Sequence, residues 1–136
     1  MKLLYPILLL GFSLGFAGCM TPAPRPAEWV HLQLVTVDSN EIRLAKAWFE
    51  GRDGRMTIVG LVVRQPGGAR DTTASHLDVT TLDAMGEVLH HSIEHFKPRQ
   101  ISTRLRPKGH ASFQIEIDPL PTATVVVKVR AHEGLH

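Results

Sequence analysis

The sequence predicts an all-β fold, a single β-sandwich of seven to eight strands. Several short stretches between residues 30 and 130 alternate apolar and polar side chains with the period of two typical of half-buried strands. Glycine, proline, asparagine and aspartate separate these stretches at intervals of about 8 to 12 residues. No stretch has the apolar spacing of an amphipathic helix. Together these three observations favour two packed sheets.

The first two predicted strands are joined by an Asp-Ser-Asn turn. Residues 30–37 alternate regularly, and we expect Val30, Leu32 and Leu34 on their apolar face. Residues 42–49 also fit a strand, although their alanines would suit a helical turn equally well. Our prediction there is a strand with unbroken alternation.

The third predicted strand, residues 56–64, is the most β-branched run up to that point in the chain. A continuous apolar run of this length is typical of a strand near the middle of a core. Gly60 within it indicates a bulge or a close neighbour. A turn at residues 51–54 precedes the strand, and residues 65–74, the longest predicted loop, follow it.

A hairpin is predicted from residues 75–82 to residues 87–96. Its first strand directs Leu77 and Val79 inward, and an Asp-Ala-Met-Gly turn reverses the chain. Three further strands are then expected, at residues 101–105, 110–118 and 124–130, with a polar tail from residue 131 to residue 136.

Four aromatic residues are predicted to anchor the core rather than to form a ligand site. They are Trp29, Trp48, Phe49 and Phe113. An exposed pair among them would instead mark a partner surface.

The N-terminus has the charged, apolar and small-residue order of a secretory signal peptide. Lys2 precedes an apolar stretch, and small residues stand directly before Cys19, the only cysteine. The unbroken apolar part, residues 7–17, is shorter than the roughly 20 residues that a membrane-spanning helix needs. A cleaved signal at residues 1–18 is therefore predicted.

The ending Ala17-Gly18-Cys19 resembles the lipobox of bacterial lipoproteins. This resemblance implies cleavage before Cys19 and covalent lipid on its thiol. Met20 follows where an aspartate would favour the inner membrane, so the resemblance implies the outer membrane, facing the periplasm. Residues 19–28 comprise the lipidated Cys19 and a proline-rich linker, in which residues 21–28 span up to about 25 Å when extended. Residues 29–136 form the sandwich domain.

The downstream motifs resemble small bacterial immunoglobulin-like domains of the FxLYD type. These motifs are Val59-Gly60-Leu61-Val62, the hairpin sequence at residues 77–88 and the corner sequence at residues 105–113. The resemblance spans residues 56–130 and implies an immunoglobulin-like sandwich, with no active site to transfer.

The basic residues Arg99, Arg104, Arg106 and Lys108 gather in one region, but the formal net charge is only +2. No aromatic platform accompanies them, as a nucleic-acid interface would require. We predict a solvated loop and no nucleic-acid partner, with weak attraction to anionic lipid head groups as the alternative.

Histidines provide the candidate metal ligands, because the chain has eight of them. His90, His91 and His95 lie close together in sequence, but on a strand His91 and His95 stand about 13 Å apart. That separation exceeds the reach of one ion with bonds of roughly 2 Å. A cross-strand partner such as His76 would be needed to complete a zinc or copper site.

Catalytic motifs are not recognisable in the sequence. There is no Gly-x-Ser-x-Gly elbow, no phosphate-binding glycine loop and no paired carboxylate arrangement. We therefore expect no enzyme activity and no cofactor beyond the lipid on Cys19. The leading hypothesis is an accessory module that presents an edge strand or a loop to another envelope protein, and the alternative is a metal-handling lipoprotein.

Overall fold

The computed structural model describes residues 29–53, 55–68, 71–102 and 109–134. These residues form seven strands: β1 (Gln33–Val37), β2 (Ile42–Arg52), β3 (Arg55–Arg64), β4 (His76–Leu82), β5 (Val88–Glu94), β6 (His110–Ile117) and β7 (Val126–His132). One sheet has the order β1-β7-β4-β5 and the other the order β2-β3-β6. The predicted all-β sandwich of seven to eight strands is confirmed.

Most strand pairs in both sheets are antiparallel. The β2–β3 and β4–β5 hairpins join sequential strands, whereas β3 pairs with β6 and β4 pairs with β7 across long stretches of chain. β1 is the exception, since it lies parallel to β7 at the margin of the four-stranded sheet. The chain passes between the sheets after β1, β3, β5 and β6.

The core lies between the inner faces of the two sheets. In β6, alternate residues from Ala111 to Ile117 are buried, as the sequence predicted. Leu77 and Val79 of β4 are fully buried in the same core, which confirms the predicted direction of this strand. The alternation of apolar residues therefore determines which face of each sheet turns inward.

A β-bulge interrupts β2 and corrects the predicted alternation. The pairing with β3 passes from Leu44 directly to Lys46, so Ala45 is the extra residue. A bulge adds one residue to a strand with period two and so exchanges its two faces. Phe49 is consequently buried on the same side as Leu44. The strand prediction is confirmed, and the unbroken alternation is wrong.

The bulge also decides the position of Trp48, which is only partly buried. The ammonium of Lys46 lies 5.0 Å from the centroid of the indole ring, in a cation–π arrangement. Trp48 is therefore not a core anchor. The other three predicted anchors, Trp29, Phe49 and Phe113, are buried.

The beginning of β1 differs from the prediction. Residues 29–31 form a turn in which the Leu32 N–H donates to the Trp29 carbonyl over 3.0 Å. Val30 projects from this turn and is 70% exposed, so its expected place beside Leu32 is wrong. The strand begins only after this turn, at Gln33.

The last strand continues beyond the predicted end at residue 130. β7 begins at Val126, and Ala131 and His132 still pair with Leu77 and His76 of β4. These two residues therefore belong to the sheet and not to a polar tail. Of the strand expected at residues 101–105, residues 103–105 lie outside the described residues, while Ile101 is buried but not in a strand.

Thr72 connects two loops at one end of the sandwich and is fully buried. Its hydroxyl donates to the Arg99 carbonyl over 2.7 Å and accepts from the Ile101 N–H over 2.9 Å. Replacing it by valine keeps the shape but removes the hydrogen-bond partner of the buried Ile101 N–H and of the Arg99 carbonyl. We expect Thr72→Val to lower the free energy of unfolding by about 1 to 3 kcal/mol, measured by urea denaturation. An exposed control, Thr73→Val, should cost much less.

Candidate binding edge and histidine cluster

Three of the four edge strands are short or protected against further pairing. β1 has only five residues. β2 carries the bulge and the charged side chains of Arg43 and Lys46. At β6, the Ser112 N–H and carbonyl are both bonded to Lys97, each over 2.8 Å. Short length, charge, bulges and covering segments are common means of blunting sheet edges.

β5, the fourth edge, is longer than β1 and has little such protection. Its seven residues include no lysine, arginine or proline. Val88, Leu89 and Ile93 expose 62%, 38% and 45% of their surface. A bulge is present, but it lies at Leu89, because the pairing with β4 passes from His90 directly to Val88. The stretch from His90 to Glu94 pairs regularly with β4, and among the described residues no strand pairs with its other side, so we call this edge open.

The histidine cluster lies on the outer face of the same sheet. Leu77 and Val79 point into the core from β4, so the alternation places His76 and Asp78 outside. His132 of β7 is the register partner of His76, and its ring centroid lies 5.0 Å from that of His76. The pairing of β4 with β7 therefore brings two distant histidines together.

The carboxylate of Asp78 is central to the cluster. Its Oδ1 lies 3.6 Å from Nε2 of His76 and 3.7 Å from Nε2 of His91, which belongs to β5. His76, Asp78 and His132 each contribute one possible metal-binding atom, and these three atoms lie within 4.8 Å of one another.

Burial decreases from His76 towards the sheet edge. Only 4% of the His76 side chain and 15% of the Asp78 side chain are exposed, compared with 48% for His91. Nδ1 of His76 lies 3.3 Å from the Ala74 carbonyl, in the turn that begins β4. A solvent-accessible depression of about 390 Å³ borders His132 on the other side. The cluster thus combines a largely buried centre with access from solvent.

Hydrogen bonds hold the loops beside this end of the sheet. The Glu133 carboxylate accepts from the backbone N–H groups of Asn40 and Glu41, over 2.6 and 3.1 Å. The Ser75 hydroxyl donates to the Glu41 carboxylate over 2.7 Å. Ser75 and Glu133 directly adjoin His76 and His132 in sequence, so these bonds restrict the backbone that carries both rings.

The sequence analysis identified two of the clustered histidines, His76 and His91. Of its other two candidates, His90 pairs with Thr81 on the opposite face of the sheet, and His95 lies beyond the end of β5. Neither belongs to a group of three close metal-binding side chains in the described part of the chain. Asp78 and His132 were missed as ligands. His132 was assigned to the tail, and only a longer last strand would have indicated it.

Several other predicted features lie outside the described residues, namely Cys19, the linker and three of the four clustered basic side chains, Arg104, Arg106 and Lys108. The fourth, Arg99, is exposed, and its guanidinium donates to the Thr73 carbonyl. The described part of the chain contains no helix with the length and apolar character needed to span a bilayer.

Comparison with known proteins identified no relative of this chain. No family model matches the chain, and no curated protein or solved structure is significantly similar to it. The resemblances to bacterial lipoproteins and to FxLYD-type domains stay predictions.

Proposed function

We propose that this protein is a lipid-anchored periplasmic binding module that pairs β5 with an extended segment of another cell-envelope protein. In this role it adds no chemistry of its own and acts by holding its partner close to the membrane. The proposal combines an anchor at Cys19 with a binding edge in the sandwich.

The observation that carries the proposal is the open edge of β5. An extended peptide that joins a sheet gains main-chain hydrogen bonds from the edge strand and specificity from alternate side chains. β5 offers a regular stretch from His90 to Glu94 for main-chain hydrogen bonds. The exposed side chains of Val88, Leu89 and Ile93 offer apolar contacts that can select the side chains of the partner. We therefore expect a partner segment with apolar residues at alternate positions.

The anchor is supported by the small residues before Cys19 and by the prolines after it. More than one acyl chain on this cysteine would give stable attachment, whereas a single chain binds a bilayer only marginally. A proline-rich linker would hold the domain up to about 25 Å from the lipid surface. At that distance β5 can meet proteins that are themselves anchored in the envelope.

The proposal predicts a crosslink from β5 in intact cells that express the full chain. A photoreactive amino acid at His90 should yield one defined adduct, and the same probe at Gln114, exposed on β6, should not. Ile93→Lys should reduce the adduct at least about tenfold, because burying an ammonium costs more than the 1.4 kcal/mol that a tenfold loss of affinity represents. The adduct is measured by immunoblotting and identified by mass spectrometry.

The matched control is Val30→Lys, which replaces another exposed apolar residue, far from β5 in sequence. It should leave the adduct unchanged. Both lysine variants should retain their free energy of unfolding within about 0.5 kcal/mol, as is usual for surface positions. If the His90 probe captures no defined protein, or if both lysine variants lose the adduct equally, binding through β5 is wrong.

A further inference from the structure

We propose that His76, Asp78 and His132 form a binding site for one divalent transition-metal ion, with Zn²⁺ as the probe that defines it. The site joins β4 to β7 on the outer face of the four-stranded sheet. It differs from the histidine set that the sequence indicated, and it does not depend on the binding role of β5.

The distances in the cluster are close to those of a coordination sphere. In a tetrahedral zinc site with bonds of about 2.0 to 2.1 Å, neighbouring ligand atoms are about 3.3 Å apart. Nε2 of His76 and Oδ1 of Asp78 are already 3.6 Å apart. All three candidate atoms lie within 4.8 Å of one another. Side-chain movements on the order of 1 Å would therefore complete the tetrahedral geometry.

The donor set has the chemistry of a transition-metal site. Two imidazoles and one carboxylate suit Zn²⁺, Cu²⁺, Ni²⁺ and Fe²⁺ better than Ca²⁺ or Mg²⁺, which favour all-oxygen ligands. The carboxylate supplies a negative charge that two neutral histidines alone would lack. Since the Asp78 side chain is only 15% exposed, water screens that charge less than it would at an open surface.

The strand pairing preorganises the ligands. His76 and His132 are directly opposed in neighbouring strands, and Asp78 follows His76 on the same face of β4. The hydrogen bonds of Ser75 and Glu133 hold the adjoining backbone. Less conformational entropy is therefore lost on binding than if the same residues stood on loops.

Two neighbours modify the site. Nε2 of His91 approaches Oδ1 of Asp78 to 3.7 Å from β5, and its side chain is half exposed, so His91 is a further donor near the site on the solvent side. Arg130 is the register partner of Asp78 on β7, and its positive charge opposes a bound cation. Removing His91 should weaken binding less than removing one of the three ligands, and Arg130→Gln should strengthen it.

The test is titration of Zn²⁺ into the full chain, purified in detergent and stripped of metal with a chelator. Isothermal titration calorimetry should show one ion per chain at micromolar Zn²⁺, with a rise in Tm. Asp78→Asn and His132→Ala should each lower the affinity at least about 10- to 100-fold, the loss typical even of residues outside the ligand shell. Co²⁺ in place of Zn²⁺ should produce a visible d–d absorption band that Asp78→Asn abolishes.

The matched control is His90→Ala, which removes an exposed histidine from the opposite face of β5. It should leave affinity and stoichiometry unchanged. His76 is only 3% exposed, so its replacement risks misfolding. Asp78→Asn keeps the side-chain shape and is therefore the decisive variant. Unfolding of each metal-free variant checks its fold. Saturable binding that survives both ligand substitutions, or no binding below millimolar Zn²⁺, would overturn the site.

Discussion

Replacing Gly60 by alanine is expected to lower the free energy of unfolding by about 3 kcal/mol, the upper end of the usual cost of overpacking. A Cβ at this position would overlap the Phe113 ring and the Lys46 carbonyl oxygen. The ring has some freedom to turn, but the carbonyl belongs to the backbone beside the β2 bulge. Relief therefore requires β2 to separate from β3. The measurement is urea denaturation followed by circular dichroism.

The control for steric overlap is Gly67→Ala. Gly67 has φ 81°, and a Cβ at this position would meet no atom within 4 Å beyond its chain neighbours, so alanine there is strained only by its backbone conformation. That strain costs about 1 to 2 kcal/mol. If Gly60→Ala costs no more than Gly67→Ala, the close contact between β3, β6 and the bulge is not a rigid feature of the fold. Gly60→Val should cost more than either.

Replacing Cys19 by serine is expected to abolish membrane attachment, which is the largest change in behaviour that we predict. Serine has no thiol to receive the lipid, and each methylene of a lost acyl chain removes about 0.8 kcal/mol of membrane affinity. In fractionated cells, the wild-type chain should sediment with membranes. The variant should remain soluble in the periplasm or retain its signal, and so migrate as a larger species.

A second substitution tests the lipoprotein resemblance without removing the lipid. Met20→Asp should move the protein from the outer to the inner membrane, since aspartate after the cysteine favours retention there. Density-gradient separation of the membranes measures this change. Should the serine variant still sediment with membranes and mature to the wild-type size, attachment through Cys19 is wrong. Limited proteolysis of the sedimented serine variant should show that its domain is folded, which excludes aggregation as the cause of its sedimentation.

The two functional proposals use different parts of one sheet and can fail separately. Loss of Zn²⁺ binding in Asp78→Asn leaves the β5 edge intact. Ile93→Lys keeps all three metal ligands but places an ammonium opposite Asp78, so it tests partner binding and not Zn²⁺ affinity. His91 and Ile93 belong to both regions, because His91 approaches Asp78 from β5 and Ile93 is the register partner of Asp78. Crosslinking from His90 in the Asp78→Asn background would therefore show whether the ion and the partner are independent.

The strands of this protein could be predicted because alternation is a local property. Each of the seven strands overlaps a predicted one, and the inward residues of β4 and β6 were predicted correctly. Within the described residues, the errors are at Val30, at the β2 bulge, at Ile101, which is not in a strand, and at the end of β7. In each case a turn or the pairing with another segment determines the path of the backbone. The residues of one strand, considered alone, do not specify that turn or pairing.

The amino-acid sequence by itself determined an all-β domain, the positions of its strands and a signal-like N-terminus ending at Cys19. Only the tertiary structure decided which edge is open and which side chains meet around Asp78. The reason is that His76 and His132 are brought together by the register between β4 and β7, strands far apart in the chain. Their meeting depends on which strands become neighbours, and short-range alternation does not specify neighbours.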